Sequence, residues 1–191
     1  MKRRSVVLVG GISAAVPGLV LAAKDEGKDK EKERAEVRKA ANDALAAVYK
    51  AQPAARKAVE SAAGYAAFSN FGVKILVAGS GTGKGIAVNN KTKAVTFMKM
   101  AELQAGLGFG VKKFSLVWVF ETPQTLDKFI NSGWEIGAQA TASAKTADSG
   151  ASYQGAVSVS PGVWLYQVTG SSLAAELTAK GTKYYTDNDL N

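Results

Sequence analysis

The sequence predicts an α+β protein, with a mainly antiparallel, barrel-like or sandwich-like β core bearing N-terminal helices and one mid-chain helix. Three observations lead there. Apolar residues recur at three- and four-residue steps up to about residue 63; beyond that point the pattern changes to a period of two; and the alternating segments are short and divided by glycine- and asparagine-rich turns. With 191 residues, 47% of them hydrophobic, the chain is long enough for one domain with a sizeable core.

The start, "MKRRSVVLVGGISAAVPGLVLAAKDEG", runs from basic to apolar to small residues, the order of a secretory signal peptide over 1–22, with cleavage expected after Ala22 or Ala23. Arg3 and Arg4 leave both the general and the twin-arginine export routes open. The expected location is therefore the periplasm or cell envelope. No cysteine occurs, so neither disulfides nor a lipid on a signal-peptide cysteine contribute. Residues 23–34 hold five charges of each sign and read as a solvated linker that runs towards the first helix.

A helix is expected over 31–50, from Val37, Ala41, Ala44, Leu45 and Val48 on one side. Pro53 starts a second, to about Ala63, with Gly64 closing it. Strands follow over 71–78, 84–88, 94–100 and 103–111, the last with Gly106, Gly108 and Gly110 sharing one face. "SLVWVF" at 115–120 is apolar throughout and reads as a strand buried on both faces. Thr122 and Pro123 cap and start a helix to about Asn131. Further strands are expected over 133–144, 151–159, 163–169 and 171–178.

"VAGSGTGKG" at 77–85 invites comparison with a phosphate-binding loop. It fails on spacing, because three residues instead of four separate Gly79 from Gly83, and it has Gly85 where a magnesium-binding hydroxyl belongs. A turn signal, Asn89-Asn90, stands where the helix should run. Alternating glycines suit a turn and strand whose one face admits a close backbone, a helix or an aromatic ring. Histidine is absent along with cysteine, which removes the common nucleophile, general-base and zinc chemistries. Ser143 and Lys145 lack the spacing of a Ser-Lys dyad, so no catalytic residue, metal or cofactor is expected.

The formal net charge is +8, unevenly spread: residues 71–113 carry seven lysines and one acid, whereas 114–191 carry four lysines and seven acids. A basic segment in an exported protein points to an anionic lipid surface, against the alternative of scattered solvated lysines. The carboxylates of Asp187-Asn188-Asp189 lack the rest of a calcium loop and read as a frayed end.

The order "FGVKILVAGSGTGKGIAV", "LQAGLGFGVKKFSLVWVFET", "GWEIGAQATA" and "VWLYQVTGSSLAAELTAKGTKYYTDN" resembles the SYLF domain, also called the Ysc84 or Las17-binding actin-regulator domain, over roughly 30–191. The ending from Gly170 to Tyr185 is the most family-like part. The resemblance implies one domain over 35–191 that binds phospholipid without catalysis. In relatives a basic N-terminal helix contributes to membrane binding, which here brings in Arg38 and Lys39, although Glu31, Glu33 and Glu36 dilute that helix's charge. The expected head-group residues are accordingly Lys84, Lys91, Lys93, Lys99, Lys112 and Lys113, with Arg38 and Lys39. Trp118, Trp134 and Trp164 are candidates for an apolar pocket or interface, their alternative being core. The expected partner is an anionic phospholipid surface; the alternative is a structural envelope protein that docks a protein partner, and neither nucleic acid nor nucleotide is expected.

Overall fold

All five apolar residues that set the helical stripe, Val37, Ala41, Ala44, Leu45 and Val48, are buried along helix α1 (Gly18–Ala51). The computed structural model describes residues 18–75, 78–105, 110–136, 153–169, 172–173 and 182–191, and side chains within 26–69, 82–101, 114–133, 153–169 and 182–191. Helix α1 starts earlier than the apolar stripe does. It takes in the charged segment 23–34, whose alternating acids and bases are good helix formers, and Glu26 to Lys32 are exposed. Among the described residues no helix is long and apolar enough to cross a membrane.

Pro53 stands at the N-cap of α2 (Ala54–Ser61), which buries Ala55, Ala58 and Val59. Gly64 does not close that helix; it opens strand β1 (Gly64–Ile75). A side chain there would lie 2.6 Å from Leu126 Cδ2, so the glycine answers to close packing. The hairpin partner, β2 (Ala78–Asn89), contains the whole glycine stretch from Gly79, and the bend at 76–77 lies outside the described residues. Asn89, Asn90 and the two residues after them turn the chain into β3 (Val95–Ala105); β4 (Gly110–Phe120) then returns beside β1. The single strand expected over 103–111 is therefore the end of β3 and the start of β4, with 106–109 outside the described residues.

Helix α3 (Pro123–Asn131) has the expected cap, Thr122 accepting a hydrogen bond from Thr125 N–H at 3.3 Å. Then come β5 (Trp134–Ile136), β6 (Val157–Ser160), β7 (Val163–Thr169), β8 (Ser172–Leu173) and β9 (Thr182–Thr186). Most of the strands expected over 133–144 and 171–178 lies outside the described residues. Strand β9 was not expected from the sequence.

These strands pair into one antiparallel, curled half-barrel sheet, in the order β5-β9-β3-β2-β1-β4-β7-β6, with β8 beside β7. Side chains alternate between its faces. On β4, Phe114, Leu116, Trp118 and Phe120 point to the face covered by α3, while Val117 and Val119 point to the face covered by α1 and α2. Both sets are buried, which is why this strand reads as continuously apolar. The glycines of β2 serve the α3 face. A Cβ at Gly85 would stand 2.5 Å from Phe68 Cδ1, and one at Gly83 2.7 Å from Met100 Cγ. An aromatic ring, a thioether and the β1 carbonyls of Ala67 and Ser69 thus occupy the room that Gly85 and Gly83 leave, within the strand and with no helix following.

Candidate functional site

On the α1 face the sheet is apolar towards the β2–β3 turn and polar one register step further along. Val117, Ala67, Ile86 and Phe97 form a buried row across β4, β1, β2 and β3. Two residues on, the same four strands present Ser115, Ser69, Lys84 and Lys99. Helix α1 crosses this boundary. From Val37 onward it lies on the apolar row, whereas none of Glu26 to Glu36 is buried.

The lysines of the polar row are paired within the chain. The Lys84 ammonium donates to Glu33 of α1. The Lys99 ammonium lies 2.7 Å from Asp187 Oδ1 and 3.0 Å from Asp189 Oδ2, and the hydrogen bonds to Asp187 and then Asp189 hold its pKa above the ordinary lysine value. The same contact pulls the Asp189 carboxyl below the usual aspartate value, with the Lys99 hydrogen bond as the largest cause. Ser69 and Lys84 are direct cross-strand neighbours, but the ammonium is engaged by Glu33, and the pair offers no base for a dyad.

The end of the chain is ordered where fraying was expected. Asp187 is 2% exposed and Leu190 packs in the α1-side core. Asn191 accepts a hydrogen bond from Phe97 N–H at 2.8 Å and donates to the Phe97 carbonyl at 2.8 Å, continuing the edge pairing of β3. The amide and carbonyl of Phe97, on the β3 edge beyond its pairing with β9, are thereby satisfied, which a bare turn sequence does not reveal.

Two clefts of about 470 Å³ each flank the N-terminal half of α1, and they differ in sign. Asp29, Glu33 and Glu36 line the one over β1 and β2, with Lys32 and Lys84. Arg34 and Arg38, with one acid, Glu31, line the other, beside Val95, Phe97 and Leu190. Arg34 Nε donates to the Leu190 carbonyl at 2.7 Å, and its Nη1 donates to Glu31. The Arg38 guanidinium lies 4.9 Å from the centroid of the Phe97 ring, a cation–π contact that leaves its edges open to an anion. Lys39, next in sequence, points elsewhere and pairs with Asp43 at 2.6 Å.

The remaining expected residues are dispersed. Lys91 and Lys93 are exposed on the β2–β3 turn, where Asn89 Oδ1 accepts from the amides of Lys91 and Thr92 and Lys93 takes a left-handed φ of 61°. Lys112 and Lys113 occupy β4 positions level with Gly72 and Phe71, and their side chains lie outside the described set. Seven strand residues, about 23 Å, separate Lys113 from the end of the sheet that carries the turn. The lysines expected to act together thus do not share one patch. Trp118 is wholly buried among Phe120, Phe129 and Tyr184 and belongs to the core. Trp164 is half-buried, stacks on Tyr153 at 4.5 Å and donates to Glu121 at 2.8 Å. Trp134 is in β5, opposite Tyr184, with its side chain outside the described set. Burial pushes the hydroxyls of Tyr49, Tyr153 and Tyr166 up to about 12, so these phenols stay protonated at neutral pH.

Arg34 and the carboxylates of Asp187 and Asp189 are the site residues that the sequence reading missed. The signal for Arg34 was its spacing of four residues from Arg38, which sets both on one side of a helix. No family model matches the chain. It is similar to Beta cell expansion factor A of Aeromonas veronii, with 32% identity over 152 residues, a match that takes in 78% of this chain and, at 56%, a little over half of that relative's length.

Proposed function

We propose that the protein is a non-enzymatic module of the bacterial cell envelope that binds anionic phospholipid at the cleft between α1 and β3. The observation that carries this reading is Arg38, a cation held over the Phe97 ring in a cleft also lined by Val95 and Leu190. Apolar lining beside open guanidinium suits a molecule with a phosphate at one end and hydrocarbon at the other. The cleft volume of about 470 Å³ falls within the range of small-molecule sites. The resemblance to SYLF domains favours the same ligand class, with the emphasis moved from the β2–β4 lysines to the helix-borne arginines. Export with cleavage after Ala22 or Ala23, within the first turns of α1, would bring the cleft to an envelope membrane.

The energetics are modest. A cation near an anionic surface contributes about 1 kcal/mol, and because Arg34 is paired with Glu31 the term rests mainly on Arg38, a weak and reversible attachment to which apolar contact adds. Co-sedimentation with vesicles of phosphatidylcholine alone and of phosphatidylcholine with rising phosphatidylglycerol tests the reading. Binding should increase with phosphatidylglycerol and fall between 0.1 M and 1 M salt, as the Debye length shrinks from about 10 Å to about 3 Å. Equal binding to both vesicle types would contradict it, and capture of an envelope protein without vesicle binding would favour a partner-docking role.

A further inference from the structure

We propose that Lys84 and Lys99 form a second, covered anion site for a phosphate group, and that Glu33 and Asp189 occupy it in the resting protein. The proposal rests on the lipid-binding reading above and adds its regulation. The two lysines are direct cross-strand partners on the α1 face of the sheet. Like charges placed opposite one another repel, so the position requires anions between or above them. Those anions come from two segments far apart in sequence, Glu33 from α1 and Asp187 with Asp189 from the last residues.

The acids are not equivalent. Asp187 is 2% exposed and accepts a further hydrogen bond from Asp189 N–H, so it is a fixed part of the fold. Asp189 is 79% exposed and Glu33 is 40% exposed; both approach from the solvent side, where ion pairs are weak. Asp189 also feels Lys84 and Lys30, which ties α1, β2, β3 and the C-terminal segment into one charge cluster. Within Glu26 to Glu36, α1 buries no side chain, and Arg34 holds this part to the Leu190 carbonyl. The Glu33 side chain can swing away from Lys84 while Arg34, Val37, Ala41, Leu45 and Val48 stay docked. A phosphate between the two ammoniums would take the places of the Glu33 and Asp189 carboxylates, with the half-buried Ser69 hydroxyl opposite Lys84 as a further donor.

The test compares wild type with Glu33→Gln/Asp189→Asn and with a charge-matched control, Asp43→Asn/Glu60→Gln, whose acids lie on α1 and α2 away from the two lysines. On phosphatidylglycerol vesicles the uncovered variant should bind about fivefold more tightly than the control, the effect of roughly one additional cation at the surface. Adding Lys84→Gln should cancel the gain. Titration with inorganic phosphate separates the sources: shifts at Lys84 with phosphate alone indicate a site open to the free ion, and shifts with vesicles alone indicate a head-group site. A gain no larger than the control's overturns the cover, and if Arg38→Gln still weakens binding the lipid reading stands without it. Arg38→Gln without effect, beside a Lys84-dependent gain, would instead overturn the Arg38 cleft and leave the covered site.

Discussion

Lys84 on β2 and Lys99 on β3 face each other across the strand pair, and each ends on carboxylates 51 and 90 residues away in sequence respectively. Two lysines of the basic stretch are therefore folded against acids drawn from its two flanks. Lys99→Met tests the structural half of this arrangement. It leaves the Asp187 carboxylate, 2% exposed, without its cation, and a buried charge deprived of its partner costs about 3 kcal/mol or more. Urea denaturation should show that loss. Asp189→Asn, at a surface pair, should shift the urea midpoint far less than Lys99→Met does.

The pairing also sets an acid response. The Asp189 carboxyl is held below its usual value, so its contribution is complete above the ordinary aspartate pKa near 3.9 and disappears as pH falls through the lower folded-state value. Lys99 is held above its usual value, so its contribution is complete below the ordinary lysine pKa near 10.4 and is lost only at higher pH. Between about pH 5 and 10 neither group titrates. The difference in urea midpoint between wild type and Asp189→Asn should be constant over that window and close below about pH 4. A difference that varied between pH 6 and 9 would contradict the pairing.

Gly85 separates the strand reading of the glycine stretch from a nucleotide-loop reading. A methyl group there would clash with the Ala67 carbonyl oxygen and meet Phe68 Cδ1 at 2.5 Å, and overpacking of this kind costs about 1–3 kcal/mol. Gly85→Ala should lower the thermal midpoint, and Phe68→Leu in the same chain should recover part of the loss. Full stability in Gly85→Ala would show that neither the β1 backbone nor the ring approaches the glycine this closely.

Much of the architecture was legible in the sequence because periodicity is written by burial. The α1 stripe, the two-faced strand at 115–120 and the Thr122 cap each depend on neighbours close in the chain, and each is where the pattern places it. The extents were less legible. Glycines signal turns, yet Gly79, Gly81, Gly83 and Gly85 lie within strand β2, and at Gly83 and Gly85 what takes up the room is a methionine, a ring and backbone carbonyls of the neighbouring strands. The site was least legible. Lys84, Lys99 and Arg38 all read as surface cations, but whether a cation is free depends on Glu33, Asp187, Asp189 and Phe97, contacts made across the fold. Strand β9 escaped notice because Thr182–Thr186 is short and only Tyr184 supplies a large core side chain.

Arg38 and Lys39 give the most direct test of the central claim. They are adjacent, both exposed and equal in charge, but Arg38 lies on Phe97 beside the cleft while Lys39 pairs with Asp43. Arg38→Gln and Lys39→Gln lower the net charge equally, so any general attraction to an anionic surface changes alike in both. Co-sedimentation with phosphatidylglycerol vesicles should show Arg38→Gln weakened about fivefold and Lys39→Gln within about twofold of wild type. Equal losses in the two variants, or no binding by the wild-type protein, would contradict a lipid site in the cleft between α1 and β3.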